Sequence, residues 1–423
     1  MKGSKHIVVI GGGFAGLNLI KHIDKRRYRI TLIDKNNFHS FPPLFYQIAS
    51  SGLEPGSICF PLRRELRKGK GAGVEYRMGE VKVIDCIGRK ITTQYETIDY
   101  DYLVIACGTT NNFFGNDNLI HSVYTIKSVS EAMRTRNEIL FRLEKASLCS
   151  DERLRRKMLS FVVVGGGPSG VEVAGALGEM KRYVIKKEYP NISPDDISIT
   201  LLEGSGRLLS SMSLKSQNEA KLYLNKLMVN VRLNHLLKSY SDGEITLNDG
   251  TKIEAGMVIW TAGVSGVEIP VSGCDLGRER NGRIPVDRFN RSLANENIFA
   301  IGDISIMRTC DFPDGHPQLA QVALQQSKNL ARNLNHEAFD SEFRYKDRGS
   351  MATVGRNLAV ADLRHIHFSG FPAWAIWMFV HLISILGMRN KLSVLIDWIW
   401  AYFSYGTSLR LLLRMSKEPV DNN

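Results

Sequence analysis

Cysteine is scarce in this chain, and what there is lies scattered. Six cysteines in 423 residues (Cys59, Cys86, Cys107, Cys149, Cys274 and Cys310) form no C-x-x-C pair. That spacing argues against zinc or iron–sulfur ligation. No secretory leader is expected, because Lys2 and Lys5 run straight into an apolar strand pattern. Reduced thiols are therefore the expected state. A redox-active C-x-x-x-x-C pair is also missing behind the first helix, where Phe41-Pro42-Pro43 stands instead. Cys107 and Cys274 could converge in space, but nothing in their spacing argues for it. There is no low-complexity linker and no nucleic-acid motif. The net charge of +12 is dispersed among short basic runs such as Arg63-Arg64 and Lys186-Lys187. Such runs suit solvated faces or an anionic membrane surface better than nucleic acid. Long apolar runs are lacking too. The longest, at 370–386, is about 17 residues where a bilayer span needs about 20.

With 43% hydrophobic residues, the chain is long enough for two or three domains with real cores. Two glycine fingerprints organise it. IVVIGGGFAGLNL carries Gly11, Gly13 and Gly16; FVVVGGGPSGVEVAGAL carries Gly165, Gly167 and Gly170. Each follows a run of β-branched residues and opens a helical pattern. The first glycine permits a sharp turn, the second lets backbone N–H groups approach a pyrophosphate, and the third lets helix and strand pack closely. An acidic residue should end the next strand to accept ribose hydroxyls. RITLID supplies Asp34 and ISITLLE supplies Glu203. The second gap exceeds the template because a long helix through EMKRYVIKKEY and a loop with Pro190 and Pro194 intervene. A carboxylate at Glu203 would repel a 2′-phosphate and favours NADH over NADPH. Two such halves imply two dinucleotides side by side, the arrangement that passes a hydride from a nicotinamide to a flavin.

Further along, NIFAIGDIS ends a strand at Gly302-Asp303, where ligands of such sheets bind, and PQLAQVALQQSKNLARNL reads as a helix starting at that crevice. These patterns place a first FAD-binding part at 1–127, an inserted NADH-binding domain at 128–296, a second FAD-binding part at 297–369 and a C-terminal segment at 370–423. The fold class is α/β, with two Rossmann-like domains and an amphipathic helical tail. In that tail Trp398, Trp400, Tyr402 and Tyr405 lie near Arg410 and Arg414, the pattern of an in-plane membrane helix. Two core helices or a homodimer face would give the same apolar stripe.

The succession GGGFAG, FPPLFYQIASSGLEP, LVIACGTTNNFFG, VVVGGGPSGVEVAG, VIWTAGV, IFAIGDIS, AQVALQQ, GSMATVGRNLAV and GFPAWAIWMFVHLISILGMRN resembles type II NADH dehydrogenase, the single-subunit, FAD-containing NADH:quinone oxidoreductases that pump no protons. The resemblance runs from about residue 5 to residue 412. It implies that Gly11, Gly13, Phe14, Ala15, Gly16, Asp34, Lys35, Ala106, Gly108, Gly302, Asp303, Ala320 and Gln321 hold FAD. Gly165, Gly167, Pro168, Ser169, Gly170, Glu203 and Gly263 would hold NADH. Gln325 and Gln326 would border the quinone head group, menaquinone or ubiquinone. Glu172 would lie near the reacting rings as a proton relay, although a glutamate in a first helical turn is also favoured by the helix dipole alone. A peripheral position on the cytoplasmic side of the inner membrane follows, with no metal. The family often has Ala-Thr-Gly where this chain has Ala106-Cys107-Gly108. Two other readings share the fingerprints: a ferredoxin- or rubredoxin-type NADH reductase, and a membrane-docked flavoprotein that senses NADH without turnover.

Overall fold

The computed structural model describes residues 4–67, 71–116, 118–364, 366–404 and 409–412. They form two compact units.

The first unit comprises 1–40, 59–110 and 264–348. Its main sheet has five parallel strands in the order Ile298–Ala300, Tyr102–Ile105, Lys5–Ile10, Tyr28–Asp34 and Glu75–Met78. The central strand reads KHIVVI and is buried from His6 onward. An unbroken apolar run is what a parallel strand covered on both faces requires. Helix Phe14–His22 packs on helix Ala320–His336, and Asn18 Nδ2 bonds Ser327 Oγ at 2.7 Å across that contact. A smaller sheet sets Val271–Ser272 beside Val81–Asp85, Lys90–Thr93 and Thr97–Asp99. Here an expectation fails: Cys86 and Cys274, 188 residues apart, are disulfide-linked. Parallel pairing of Val81–Asp85 with Val271–Ser272 brings them together, and the Cys86 N–H donates to Ser272 O at 2.9 Å. A contact made by tertiary pairing leaves no trace in local spacing. Cys59, Cys107, Cys149 and Cys310 are not disulfide-linked.

The second unit comprises 41–58, 111–263 and 349–423. Its parallel sheet runs Tyr124–Thr125, Met257–Trp260, Ser160–Val164, Ser198–Glu203, Asn230–Leu233. Helix Pro168–Glu179 continues through a π-helical turn, Met180–Val184, into Ile185–Glu188, which is the long helix that widens the fingerprint-to-acid gap. A three-stranded antiparallel sheet (Ser350–Gly355, Leu358–Leu363, Ile366–Ser369) lies on that helix. The approach is so close that a Cβ on Gly175 would sit 1.8 Å from Val354 O. Packing therefore joins 349–369 to the nucleotide unit of the second fingerprint, rather than to the segment that begins at residue 297.

Two helices follow. In Gly370–Ser384, Ala373 and Trp377 are buried, and the helix packs on strand Leu358–Leu363. Met388–Ser404 buries Asn390, Val394 and Trp398, one stripe at helical spacing. Its other side exposes Ile396, Trp400 and Phe403 at 63, 67 and 80%. Among the described residues no helix is long and apolar enough to cross a membrane. Tyr405 and Arg414 lie outside the described residues.

Candidate active site

Each fingerprint builds the same cradle under the same constraints. Gly11 sits at φ +105°, and a Cβ there would meet the Ala106 carbonyl oxygen at 2.5 Å. A Cβ on Gly16 would lie 1.9 Å from Gly11 O. Gly13 differs: its φ is −74° and nothing lies within 4 Å of its Cβ position. The room is open in front of a helix whose first turn carries no acid and whose N-cap supplies no side-chain acceptor. First-turn N–H groups facing open space fit a dinucleotide pyrophosphate, so the residues present suit FAD. The second fingerprint repeats the pattern. Gly165 has φ +111° and a Cβ on Gly170 would come within 1.8 Å of Gly165 O, while Gly167 again opens on space. Pro168 takes the first helical position, where no N–H is needed, and Ser169 beside it is exposed.

The acidic partners also match. Asp34 Oδ2 accepts the Gly12 N–H at 2.6 Å and Oδ1 the Asn36 N–H at 2.7 Å. Glu203 Oε2 accepts the Gly166 N–H at 2.6 Å and Oε1 the Ser205 N–H at 2.7 Å. Each carboxylate fixes its glycine turn and keeps lone pairs for ribose hydroxyls. Burial raises the Asp34 pKa despite those bonds and the nearby Lys35. Glu203→Arg should weaken NADH binding and improve NADPH relative to it. Exchanging a repelling for an attracting charge should move the ratio of the two kcat/KM values by about tenfold or more. Unaltered coenzyme preference in steady-state kinetics would remove Glu203 from the ribose site.

The rest of the flavin half converges on one turn. Gly302 has φ +74°, and a Cβ there would press on Ala15 and Ala323 at 3.1 and 3.3 Å. The Gly302 N–H donates to Gln326 Oε1 at 2.8 Å, and the same oxygen receives the Ser305 hydroxyl at 3.3 Å. Gln326 is 1% exposed. Its side chain is therefore engaged in holding the Asp303 turn. Gln325 is tied to the chain at Lys346, donating to its carbonyl at 2.9 Å and accepting its N–H at 3.0 Å. Gln321 accepts the Arg348 N–H at 3.1 Å. Ala320 opens the helix, which has no side-chain N-cap and no acid in its first turn, so that end suits a flavin carbonyl. Gly108 adopts φ +70° after Cys107, whose thiol burial pushes up to about 12, leaving it inert. His39 was not anticipated: buried, it bonds Gly12 O through Nδ1 at 2.9 Å and meets the Phe14 ring edge-on at 5.5 Å.

In the second unit Gly263 has φ +74°, and a Cβ there would strike the Phe114 ring at 2.4 Å. Glu172 stands in the second helical turn, not the first, so the dipole does not account for it. It is 8% exposed, and burial raises its pKa well above the ordinary 4.5, offset in part by the Thr353 N–H. It lines a cavity of about 150 Å³, walled by Tyr46, Trp377 and Trp398 and edged by Glu179 and Arg356. Trp398 Nε1 donates to Gln47 Oε1 at 2.8 Å, and Gln47 Nε2 donates to Tyr46 Oη at 2.8 Å. The Tyr46 hydroxyl hydrogen is thereby left for another acceptor. Of these residues the sequence marked Glu172 and, through its aromatic content, the segments around Tyr46 and Trp398. It could not bring them together.

Two dinucleotide cradles in one chain, with no thiol pair behind the first helix, define a flavoprotein reductase of the two-fingerprint class. The pyridine nucleotide-disulphide oxidoreductase family model matches residues 5–327, and the NDH2 C-terminal domain matches 348–404. Type II NADH:quinone oxidoreductase Ndh of Mycobacterium tuberculosis is 34% identical, over 94% of this chain and 88% of its own length. NdhA of the same organism is 33% identical over 94 and 87%. The solved NDH2 of Plasmodium falciparum in complex with NADH superposes with a TM-score of 0.89, at 23% identity, covering 97% of this chain and all of its own. The chain belongs to the type II NADH:quinone oxidoreductase family, FAD-dependent enzymes. The Aquifex aeolicus sulfide:quinone oxidoreductase shares the fold with a TM-score of 0.74 at 20% identity, over 96% of each chain.

Proposed function

We propose that this enzyme oxidises NADH and reduces a membrane quinone whose head group enters the cavity beside Glu172, from a peripheral position on the cytoplasmic face of the inner membrane. Bound FAD would supply the redox chemistry, accepting a hydride and yielding two electrons. The chain's own residues do the rest. Gly13 and Gly167 leave room for the two pyrophosphates, and Asp34 and Glu203 set the riboses. Gln326 fixes the turn that presents Asp303. The observation that carries the quinone reading is a carboxyl kept inside an aromatic-walled cavity. Flat apolar walls suit a quinone ring, and a carboxyl whose proton is held more tightly because of its burial can give that proton to a quinone oxygen. Gln325 would act through the loop at Lys346 that it pins. The test is spectroscopic: visible flavin bands of the purified protein should bleach with NADH and return with menaquinone or ubiquinone. A colourless protein, or bands that a quinone does not restore, would end this reading.

The membrane half of the proposal rests on the exposed side of Met388–Ser404. Ile396, Trp400 and Phe403 repeat at i, i+4 and i+7, with Arg389 and Lys391 at the start of the helix. An apolar stripe with basic residues at one end suits an anionic leaflet. Deleting the tail from residue 370 would remove the buried Ala373 and Trp377 and damage the unit. The combined variant Ile396→Glu, Trp400→Glu and Phe403→Glu leaves the buried stripe intact. It should stay folded and move from the vesicle pellet to the supernatant in sedimentation with anionic vesicles. Sedimentation equal to the wild type would show that this face is not the membrane contact.

A further inference from the structure

Glu172 has a companion that the mechanism so far leaves unused. Glu179 lies seven residues on in the same helix and lines the same cavity. Seven residues turn the helix by nearly two full revolutions, so both carboxyls share a face, about 10 Å apart along the axis. Their exposures differ: Glu172 is buried and Glu179 half-buried. Glu179 Oε1 accepts the Arg356 N–H at 2.6 Å. A Cβ at the neighbouring Gly355 would stand 2.9 Å from that oxygen, so the glycine makes room for the carboxyl. Arg356 in turn donates to the carbonyls of Ala401 and Tyr402, at 2.8 Å for Tyr402, and stacks over the Tyr402 ring. Glu179 thus sits where the end of the last helix meets the cavity rim.

We propose that Glu179 is the entry point through which a proton from water reaches Glu172 and then the quinone. This rests on the quinone reading of the cavity. The balance requires one such proton. NADH, a proton and quinone give NAD⁺ and quinol; the hydride carries both electrons and one hydrogen, and the second hydrogen comes from the medium. Both carboxyls line this one cavity, so water standing at its rim beside the bound head group would link them. The Tyr46 hydroxyl is electrostatically coupled to both, and burial pushes its pKa up, so it remains a proton donor across the working range. Burial also raises the Glu179 pKa, against the pull of Arg356. The ionisable groups lining the cavity are Glu172, Glu179, Arg356, Tyr46 and Tyr402.

The decisive variant is Glu179→Gln in the full-length, FAD-loaded enzyme. Its amide oxygen can still accept the Arg356 N–H, but it cannot carry a proton. FAD content and melting temperature serve as folding controls. Quinone-dependent kcat should fall about tenfold, within the range of acid–base contributions. The deficit should grow as pH rises and protons become scarce, the solvent deuterium isotope effect should increase, and Glu179→Asp should recover part of the rate. A Glu179→Gln enzyme with wild-type kcat and pH profile overturns the proposal. So does a loss that is independent of pH and isotope, which would mark Glu179 as merely holding Arg356. The underlying reading fails separately, if the wild type does not reduce quinone or if Glu172→Gln leaves quinone turnover untouched.

Discussion

Gly13→Val is expected to give a folded protein that has lost its colour. The Gly13 backbone is at φ −74° with extended ψ, a conformation open to any L-residue, and a Cβ there meets nothing within 4 Å. The protein alone therefore tolerates the substitution. The branched side chain fills the space in which a pyrophosphate must approach the N–H groups of helix Phe14–His22, and FAD affinity should drop by at least about tenfold, as overpacking a close contact does. Flavin absorbance per mole should fall toward nil while far-UV circular dichroism stays native. Gly16→Val is the contrasting control. A Cβ there already lies 1.9 Å from Gly11 O, so this variant should lose structure along with flavin. Gly167→Val applies the same logic to the other unit. It should leave the protein yellow but unresponsive to NADH. A Gly13→Val protein with full flavin content would mean that the first cradle does not hold the pyrophosphate.

The glycines could be read because each is forced by a collision or a required space that any sequence with this turn must respect. Asp34 and Glu203 were legible for a related reason: a carboxylate at that strand end bonds the turn's own N–H groups, whatever the wider packing. The glutamine pair was visible as a motif, but its division of labour was not. Helical phase sends Gln326 inward to Gly302 and leaves Gln325 beside Lys346, and one sequence cannot tell which neighbour each will meet. The cavity was invisible for a stronger reason. Tyr46, Glu172, Thr353, Trp377 and Trp398 come from five separate stretches, and Gly175 is what lets the strand at Val354 lie on the helix that carries Glu172. The same contact packs the strand Ser350–Gly355 on the helix of the second fingerprint, a pairing that local sequence does not reveal. Cys86 and Cys274 belong with these cases, since long-range strand pairing sets their meeting.

Glu172→Gln should separate stability from catalysis in opposite directions. Burial raises the folded-state pKa of this carboxyl well above 4.5, while the unfolded chain keeps the ordinary value. Below the unfolded value both states are protonated, and the group's stabilising contribution is fully present. As pH rises, the unfolded chain releases its proton while the native one retains it, so stability is lost progressively until pH passes the folded pKa. Glutamine is isosteric with the neutral acid and has no proton to lose. The variant should match the wild type in melting temperature below about pH 4.5 and exceed it by a margin that grows as pH rises from there toward the folded-state pKa. Its quinone turnover should nevertheless fall on the order of 100-fold, since an amide cannot act as the acid. Flavin reduction by NADH, measured separately by stopped flow, locates that loss in the quinone half-reaction. A carboxyl present only for packing would still show the alkaline stability gain, because that gain follows from burial, but its amide would keep wild-type quinone turnover; wild-type turnover in the variant would therefore remove Glu172 from the proton route.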